Sequence, residues 1–332
     1  MKRKLSALLA AASVLAVSAC GGGSPSGGGG ETGGGETAGG SGGNGDLTPI
    51  TVGVIPIVDT APIWLGKEKG FFAEEGLKLE LQTTSGGAAA VPGVVSGDFD
   101  FAFGNVVSIM VAADKGLGLE FVTNGASSAG LEGDGFSAVV VNEDSPIKSP
   151  ADLEGKKVSV NNLSNIGDTT ISHVVEEDGG DPSKVEFVEV GFPDAPAALA
   201  NGQVDAAWIL EPFLSSALED GARVVSYNFY ETHENLDIAG YFTGTEKMKN
   251  NPEMVEKFRA AMTHSLQYAQ EHPEEVRKIV GTYTEISKKL RQEMVLPEYR
   301  AKFNREATEL LGNAAAKYGT LSEPPNLDKI LP

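Results

Sequence analysis

The stretch Ile50-Thr-Val-Gly-Val-Ile-Pro-Ile57, followed at once by Asp59-Thr60-Ala61-Pro62, decides the fold class. A short, unbroken apolar run rich in β-branched residues reads as a strand covered on both faces, the situation of a parallel sheet. The polar pair and the proline read as the start of a helix, because proline in a first turn forfeits no hydrogen bond. Outward from there the alternation continues. Leu77 to Leu81 alternates as a strand, Ser85-Gly86-Gly87 opens a small-residue helix over 88–95, and Asp100-Phe-Ala-Phe103 is the next strand. Asn105 to Lys115 is a helix and Leu119 to Thr123 a further strand. Strands and helices taking turns at this spacing predict a mostly parallel sheet flanked by helices.

The pattern is then repeated. Lys157 to Val160 reads as a strand, 161–167 as a polar loop, Asp168 to Glu177 as a helix and Val185 to Val190 as a strand. A small-residue helix over 194–201 and a strand over 204–210 follow. Gly97-Asp-Phe-Asp100 and Gly202-Gln-Val-Asp205 stand at equivalent steps of the two units, each after an Ala/Val-rich helix and before a strand. Phe136 to Val141 and Ile238 to Thr243 bracket the second unit and read as the paired crossings of a hinge. Beyond 246 the chain is helical, with Met254, Phe258, Ala261, Met262 and Leu266 along one face. The organisation expected is α/β with two lobes: 47–136 with 243–332 as the first, 137–242 as the second.

Composition removes several function classes. In 332 residues there are 26 Lys and Arg against 46 Asp and Glu, a formal net charge of −20. Such a field repels nucleic acid. The single cysteine, Cys20, allows no internal disulfide and no thiolate metal cluster. The four histidines, His173, His233, His264 and His272, lack metal-ligand spacing, and neither a Gly-x-Ser-x-Gly elbow nor a His-Glu-x-x-His occurs. No catalytic residue, cofactor or metal is expected.

The N-terminus carries an address. Lys2, Arg3 and Lys4 precede an apolar run from Leu5 to Ala19, too short for a permanent span of ~20 residues. The run ends in Val17-Ser18-Ala19-Cys20, which resembles the bacterial lipobox. That resemblance implies a signal peptide over 1–19 and a lipid-bearing Cys20 anchored at the outer face of the cytoplasmic membrane. Residues 21–46 hold 15 glycines and no apolar periodicity, a flexible tether with a reach of roughly 25 to 30 Å.

Five stretches carry a wider resemblance: Ile55 to Trp64, Lys69-Gly-Phe-Phe-Ala-Glu-Glu-Gly76, Ser145 to Lys157, Gly202 to Asp205, and Glu211-Pro-Phe213. In this order they resemble the substrate-binding proteins of bacterial ABC importers for nitrate, sulfonates, taurine and thiamine-precursor pyrimidines. The resemblance covers about 50–332. It implies a periplasmic-binding-protein-like fold that closes on a small solute, a monomer, and permease and ATPase subunits as partners. A pyrimidine-synthase-like enzyme or a ligand-sensing subunit is the rival class, since a fold does not fix a function.

In parallel α/β sheets ligands sit beyond the carboxyl ends of the strands, where helix N-termini present free N–H groups. The loops there nominate Asp59, Thr60, Ser85, Gly86, Gly104, Asn105, Asn124, Asn162, Ser164, Asn165 and Glu211 as ligand-binding residues, with Trp64 and Phe213 as stacking walls. Each Ser, Thr or Asn has an alternative role as a helix cap. Trp208, Tyr241 and Phe242 read equally as wall or core. None of these loops holds Lys or Arg, whereas Asp59, Asp168, Asp194 and Glu211 lie in or near them. The charge favours an aminopyrimidine or amine-bearing solute over a sulfonate, taurine or nitrate anion. Glu211, at the end of a strand and before Pro212, is the carboxylate expected to meet it, with capping of a neighbouring helix or pairing with a protein Lys or Arg as its alternative role. For the N-terminus, the intact mass of membrane-extracted protein should show a chain beginning at an acylated Cys20, and Cys20→Ser should release a folded protein into the soluble fraction.

Overall fold

A computed structural model describes residues 47–129 and 133–332. The expected signal peptide, the cysteine expected to carry lipid, Cys20, and the expected tether lie outside the described residues. Ten strands are present among the described residues: β1 (Thr48–Val54), β2 (Leu77–Thr83), β3 (Phe101–Asn105), β4 (Leu119–Ser127), β5 (Ser137–Asn142), β6 (Lys157–Val160), β7 (Glu186–Glu189), β8 (Ala206–Leu210), β9 (Ala222–Ser226) and β10 (Asp237–Gly244). The helices are α1 (Ala61–Lys69), α2 (Phe71–Glu74), α3 (Gly87–Ser96), α4 (Val106–Asp114), α5 (Ile166–Glu177), α6 (Ala195–Ala200), α7 (Phe213–Glu219), α8 (Asn228–Thr232), α9 (Thr245–Asn250), α10 (Pro252–Glu271), α11 (Pro273–Val280), α12 (Lys288–Glu293) and α13 (Arg305–Lys317).

The strands form two five-stranded sheets, ordered β2-β1-β3-β10-β4 and β7-β6-β8-β5-β9. β1 runs parallel to β2 and β3, and β6 parallel to β7 and β8. In each sheet the fourth strand is antiparallel to both neighbours, β10 between β3 and β4, β5 between β8 and β9. The two sheets are therefore the same construction made twice. One expectation needs correction here. The segment Ile238 to Thr243 is no crossing but the body of β10, fully paired inside the first sheet, and Ser137 to Val141 is likewise the body of β5 in the second. Apolar runs of this kind belong inside a sheet, where both faces are covered. The chain passes between the sheets just before each of them, between Ser127 and Ser137 ahead of β5 and between Ser226 and Asp237 ahead of β10.

The repeated Gly-x-x-Asp phrase has a mechanical reason. Gly97 and Gly202 take positive φ, 85° and 65°, as the chain leaves α3 and α6, a backbone region costly for any residue with a Cβ. Three residues later the aspartates clamp the central strands. Asp100 donates its N–H to Thr51 O and accepts Thr51 N–H on Oδ2, both at 2.8 Å. Asp205 does the same with Lys157 O and N, again at 2.8 Å. The first sheet adds an ion pair between Asp100 and Lys247.

The core follows from two-residue periodicity. Along β5, Val139 and Val141 face the main core, while Ala138 and Val140 join a second cluster under α6 and α7. On β8, Ala206, Trp208 and Leu210 alternate with Ala207 and Ile209 in the same way. The first sheet is covered by α10, whose buried face includes Val255, Phe258, Ala261, Met262 and Leu266, with Phe258 stacked 3.9 Å from Phe101. α13 lies against α4 beside one sheet and α5 beside the other, and Lys317 and Tyr318 at its end both bind Glu176. Replacing a clamp tests the reading. Asp205→Ala is expected to lower the unfolding free energy in urea by about 1 kcal/mol, and Asp100→Ala, which also strands Lys247, by about 1 to 3 kcal/mol.

Candidate binding site

The carboxyl ends of the parallel strands in both sheets point toward one another, and a pocket lies between them. Ile55, Ile57 and Asp59 enter it from the segment after β1, Phe103 and Asn105 from the end of β3, and Ile238 and Ala239 from the start of β10. From the second sheet come Asn161 and Ile166 after β6, Phe192 after β7, and Trp208 and Leu210 at the end of β8, with Phe229 of α8. The space measures about 300 Å³ with its mouth included. A second compartment of about 670 Å³ adjoins it, sharing Ile55, Ile57 and Phe192 and reaching Thr83, Thr84 and Ser85 on one side and Pro193 and Asp194 on the other.

Asp59 is the chemical centre of this space. It is 1% exposed, and neither carboxylate oxygen has a hydrogen-bond partner within the protein. Burial pushes its pKa up to about 7, because a carboxylate removed from water is costly to ionise, and its own backbone N–H offsets only a smaller part of that. Its position is nonetheless firmly set. Thr60 Oγ1 donates to Ile55 O at 2.7 Å and to Ile57 O at 3.1 Å. Tyr283 and Tyr299 donate their hydroxyls to Ile57 O and Val58 O at 3.0 and 2.9 Å. Val58 N–H donates to Glu211 O, across from the other sheet, at 3.1 Å. Four anchors thus hold the turn Val58–Thr60 while its one acid stays unsatisfied.

The walls are aromatic. Phe192 and Phe229 meet Trp208 edge-on with centroids 5.2 and 5.6 Å away, and Trp208 Nε1 donates to Ser137 Oγ at 2.7 Å, which fixes the indole. Among the described residues, no Lys or Arg lines either compartment. Polar contacts join the two sides. Asn161 Nδ2 donates to Ser85 O at 3.3 Å, and Ser108 Oγ lies 3.2 Å from both Asn105 Oδ1 and Asn165 Oδ1. A Cβ on Gly86 would stand 2.0 Å from Asn162 Oδ1, so only glycine leaves these two segments so close without a shift.

The residues nominated from sequence separate into groups. Asp59 and Asn105 line the pocket, Ser85 lines the adjoining compartment, and Gly86, Asn162 and Asn165 sit where the two sides touch. Thr60 holds the Asp59 turn. Gly104 packs against Gly87 and Phe242, where a Cβ would come within 3.0 Å of the Gly87 Cα. Four others are placed elsewhere. Asn124 belongs to a buried cluster with Ser127, Asp237 and Lys302 O, beneath the 298–304 segment. Ser164 is exposed, its N–H bound to Asp168. Trp64 stacks on Tyr283 at 4.8 Å, outside the lining. Phe213 starts α7 and packs into the core.

Glu211 takes the alternative role, that of a cap. Its carboxylate is buried but fully engaged: Oε2 accepts from Ser215 N at 3.0 Å, and Oε1 from Ser215 Oγ at 2.7 Å and from Val295 N at 3.3 Å. It caps α7 and ties it to the chain after α12. Burial outweighs these donors and lifts its pKa to about 7. The walls Phe192 and Phe229 and the amide Asn161 were not nominated. Asn161 stood one residue from a nominated neighbour, and the two phenylalanines, in a loop and a five-residue helix, carry no periodic signal.

Comparison with known proteins now becomes decisive. Residues 57–276, two thirds of the chain, match the family model described as NMT1/THI5 like. The chain belongs to the NMT1/THI5-like family. This NMT1/THI5-like protein is 25% identical over 255 residues to a Bacillus subtilis protein provisionally described as an aliphatic sulfonates-binding protein, covering 75% of the chain and 74% of the relative. It is 26% identical over 144 residues to the formylaminopyrimidine-binding protein of Halalkalibacterium halodurans, covering 43% and 41%. In structure it is similar to the alkanesulfonate-binding protein SsuA of Xanthomonas axonopodis pv. citri bound to MOPS, with a TM-score of 0.72, 14% identity, and 86% and 98% of the two chains covered. The two-lobed periplasmic-binding-protein fold is shared with that neighbour. For Glu211 the outcome expected of a cap follows: Glu211→Ala lowers apo stability by about 1 to 3 kcal/mol in urea unfolding and leaves solute affinity unchanged.

Proposed function

We propose that this chain is the extracytoplasmic solute-binding protein of an ABC importer, and that its pocket takes a small, flat, nitrogen-bearing organic solute whose donor or cationic group meets Asp59. Its family, its fold and the binding proteins among its relatives support the transport role. The lipobox-like segment and tether support attachment through Cys20. The ligand class rests on one observation: a buried carboxylate without a partner, in an aromatic pocket without a cation. An N–H donor or ammonium group placed there supplies the missing partner, and Phe192, Trp208 and Phe229 supply flat apolar walls. An anionic solute would meet Asp59 with no Lys or Arg to offset it.

The sign of the pH dependence separates the two classes. Asp59 titrates near 7 when folded and near 3.8 when unfolded, so the native state holds the extra proton between those values. Its contribution to stability therefore falls as pH rises from about 4 to about 7 and is constant above. An amine-bearing solute of constant charge binds the carboxylate form, so its affinity should rise about tenfold per pH unit up to 7 and then level off. A sulfonate or nitrate binds the protonated form, so its affinity should be level up to about pH 7 and fall above it. Calorimetric titration from pH 5 to 8 with solutes found by thermal-shift screening checks this. Asp59→Asn should abolish the amine's pH dependence and weaken its binding at pH 8, while stabilising the apo protein at that pH by roughly 2 to 4 kcal/mol. Tightest binding of an anion, or an unaltered profile in Asp59→Asn, overturns the ligand assignment.

A further inference from the structure

A second concave site lies between α11 and α12 and shares no lining residue with the pocket at Asp59. It encloses about 700 Å³ with its mouth and is lined by Glu274, Arg277, Lys278, Lys288, Arg291 and Gln292. We propose that it binds a small multivalent oxyanion, a phosphate or sulfate group, through these four cations.

Four cations gathered around one concavity make the site conspicuous in so acidic a chain. Acidic residues outnumber basic ones nearly two to one, and some cations of the body find carboxylates, such as Lys69 with Glu275, Lys184 with Glu154, Lys247 with Asp100, Lys257 with Glu253 and Lys317 with Glu176, while single exposed lysines such as Lys115 and Lys148 do not among the described residues. Even Lys289, between two pocket neighbours in sequence, reaches Glu219. Inside the pocket the balance is reversed. Lys278 and Lys288 are exposed and make no ion pair among the described residues, and Glu274 stands 3.7 Å from Arg277 Nε with most of its side chain in solvent. The adjacent Glu275 is committed to Lys69 and Tyr268. Arg277 Nη1 is buried without a partner.

Arg291 is held in place by neutral groups. Its Nε donates to Ile286 O at 3.1 Å, and its Nη1 to Arg277 O and Lys278 O, both at 3.0 Å. A Cβ on Gly281 would lie 2.2 Å from Nη1, so the guanidinium occupies space that only a glycine leaves. Its Nη2 makes no hydrogen bond within the described residues. The guanidinium is thus positioned without being neutralised, and two flexible ammonium groups stand beside it. A planar fork plus mobile point charges is the donor set that tetrahedral oxyanions take, and a dianion relieves the mutual repulsion of the four cations.

The test is calorimetric titration of the protein with inorganic phosphate at pH 8, ionic strength held constant with chloride, sulfate as a second arm and vesicles of phosphatidylglycerol as a third. Saturable one-site binding of phosphate and sulfate is expected. The double variant Lys278→Ala, Lys288→Ala should weaken it at least about tenfold, and Lys115→Ala, on a remote exposed lysine, should not. Arg291 is left intact because it also closes the end of α11. Phosphate should raise the melting temperature of the unsubstituted protein and not that of the double variant, whose apo melting point should match. If the double variant does not fold, Lys288→Gln alone should show the same direction. Binding should persist in Asp59→Asn, which keeps this result separate from the solute assignment. Phosphate acting no differently from chloride, the double variant binding as well as its parent, or binding to vesicles alone, each overturns the proposal.

Discussion

Two antiparallel strands, β5 and β10, hold this molecule together. Each is hydrogen-bonded on both edges; β5 opens the consecutive run β5 to β9 that makes the second sheet, and β10 returns from it to lie between β3 and β4, so the first sheet is complete only after the second has been built. The same strands furnish the pocket. Ile238 and Ala239, at the start of β10, form part of its wall, and Ser137, at the start of β5, accepts the indole N–H of Trp208. Joining the sheets and shaping the space between them are therefore one structural act.

The second organising feature is the contrast between how firmly the Asp59 turn is held and how poorly its carboxylate is served. Thr60, Tyr283, Tyr299 and the Glu211 carbonyl converge on backbone atoms, leaving the acid to its apolar surroundings. Carboxylates elsewhere in the interior are treated differently: Asp237 receives Asn124, Ser127, Thr308 and the Asn304 N–H. A buried acid with donors is architecture, and a buried acid without them is a demand on something from outside.

Much of the fold was legible because it is written locally. The β-branched run at Ile50, the Pro62 helix start and the Gly-x-x-Asp echo each predicted an element found where expected, and the echo proved to be a left-handed turn followed by a strand clamp. The apolar runs of β5 and β10 were legible as apolar but not as members of particular sheets, since strand partners lie far away in sequence. The same limit governed the site. Asp59 was found from its place after a strand, but its isolation depends on what surrounds it in space. Glu211 showed the same local signature and differs only because Ser215, one helical turn on, and Val295, 84 residues away, satisfy it. Asn124 resembled a loop donor until Asp237, 113 residues later, claimed it.

The caps of α4 and α5 have a bearing on reversibility. Asn105 Oδ1 accepts Ser108 N–H at 2.9 Å and Asn165 Oδ1 accepts Ile166 N–H at 2.9 Å, so each helix start is satisfied by its own asparagine. The Ser108 hydroxyl stands midway, with one proton to give and two equivalent takers, one on each side of the cleft. Were the sides to part, that proton would stay with Asn105 and no helix end would be orphaned. That link is made from groups already content, whereas the bonds from Val58 N–H to Glu211 O and from Asn161 Nδ2 to Ser85 O are ones that parting would break. At this point of the seam, therefore, contact can be made and broken without leaving either asparagine cap unsatisfied.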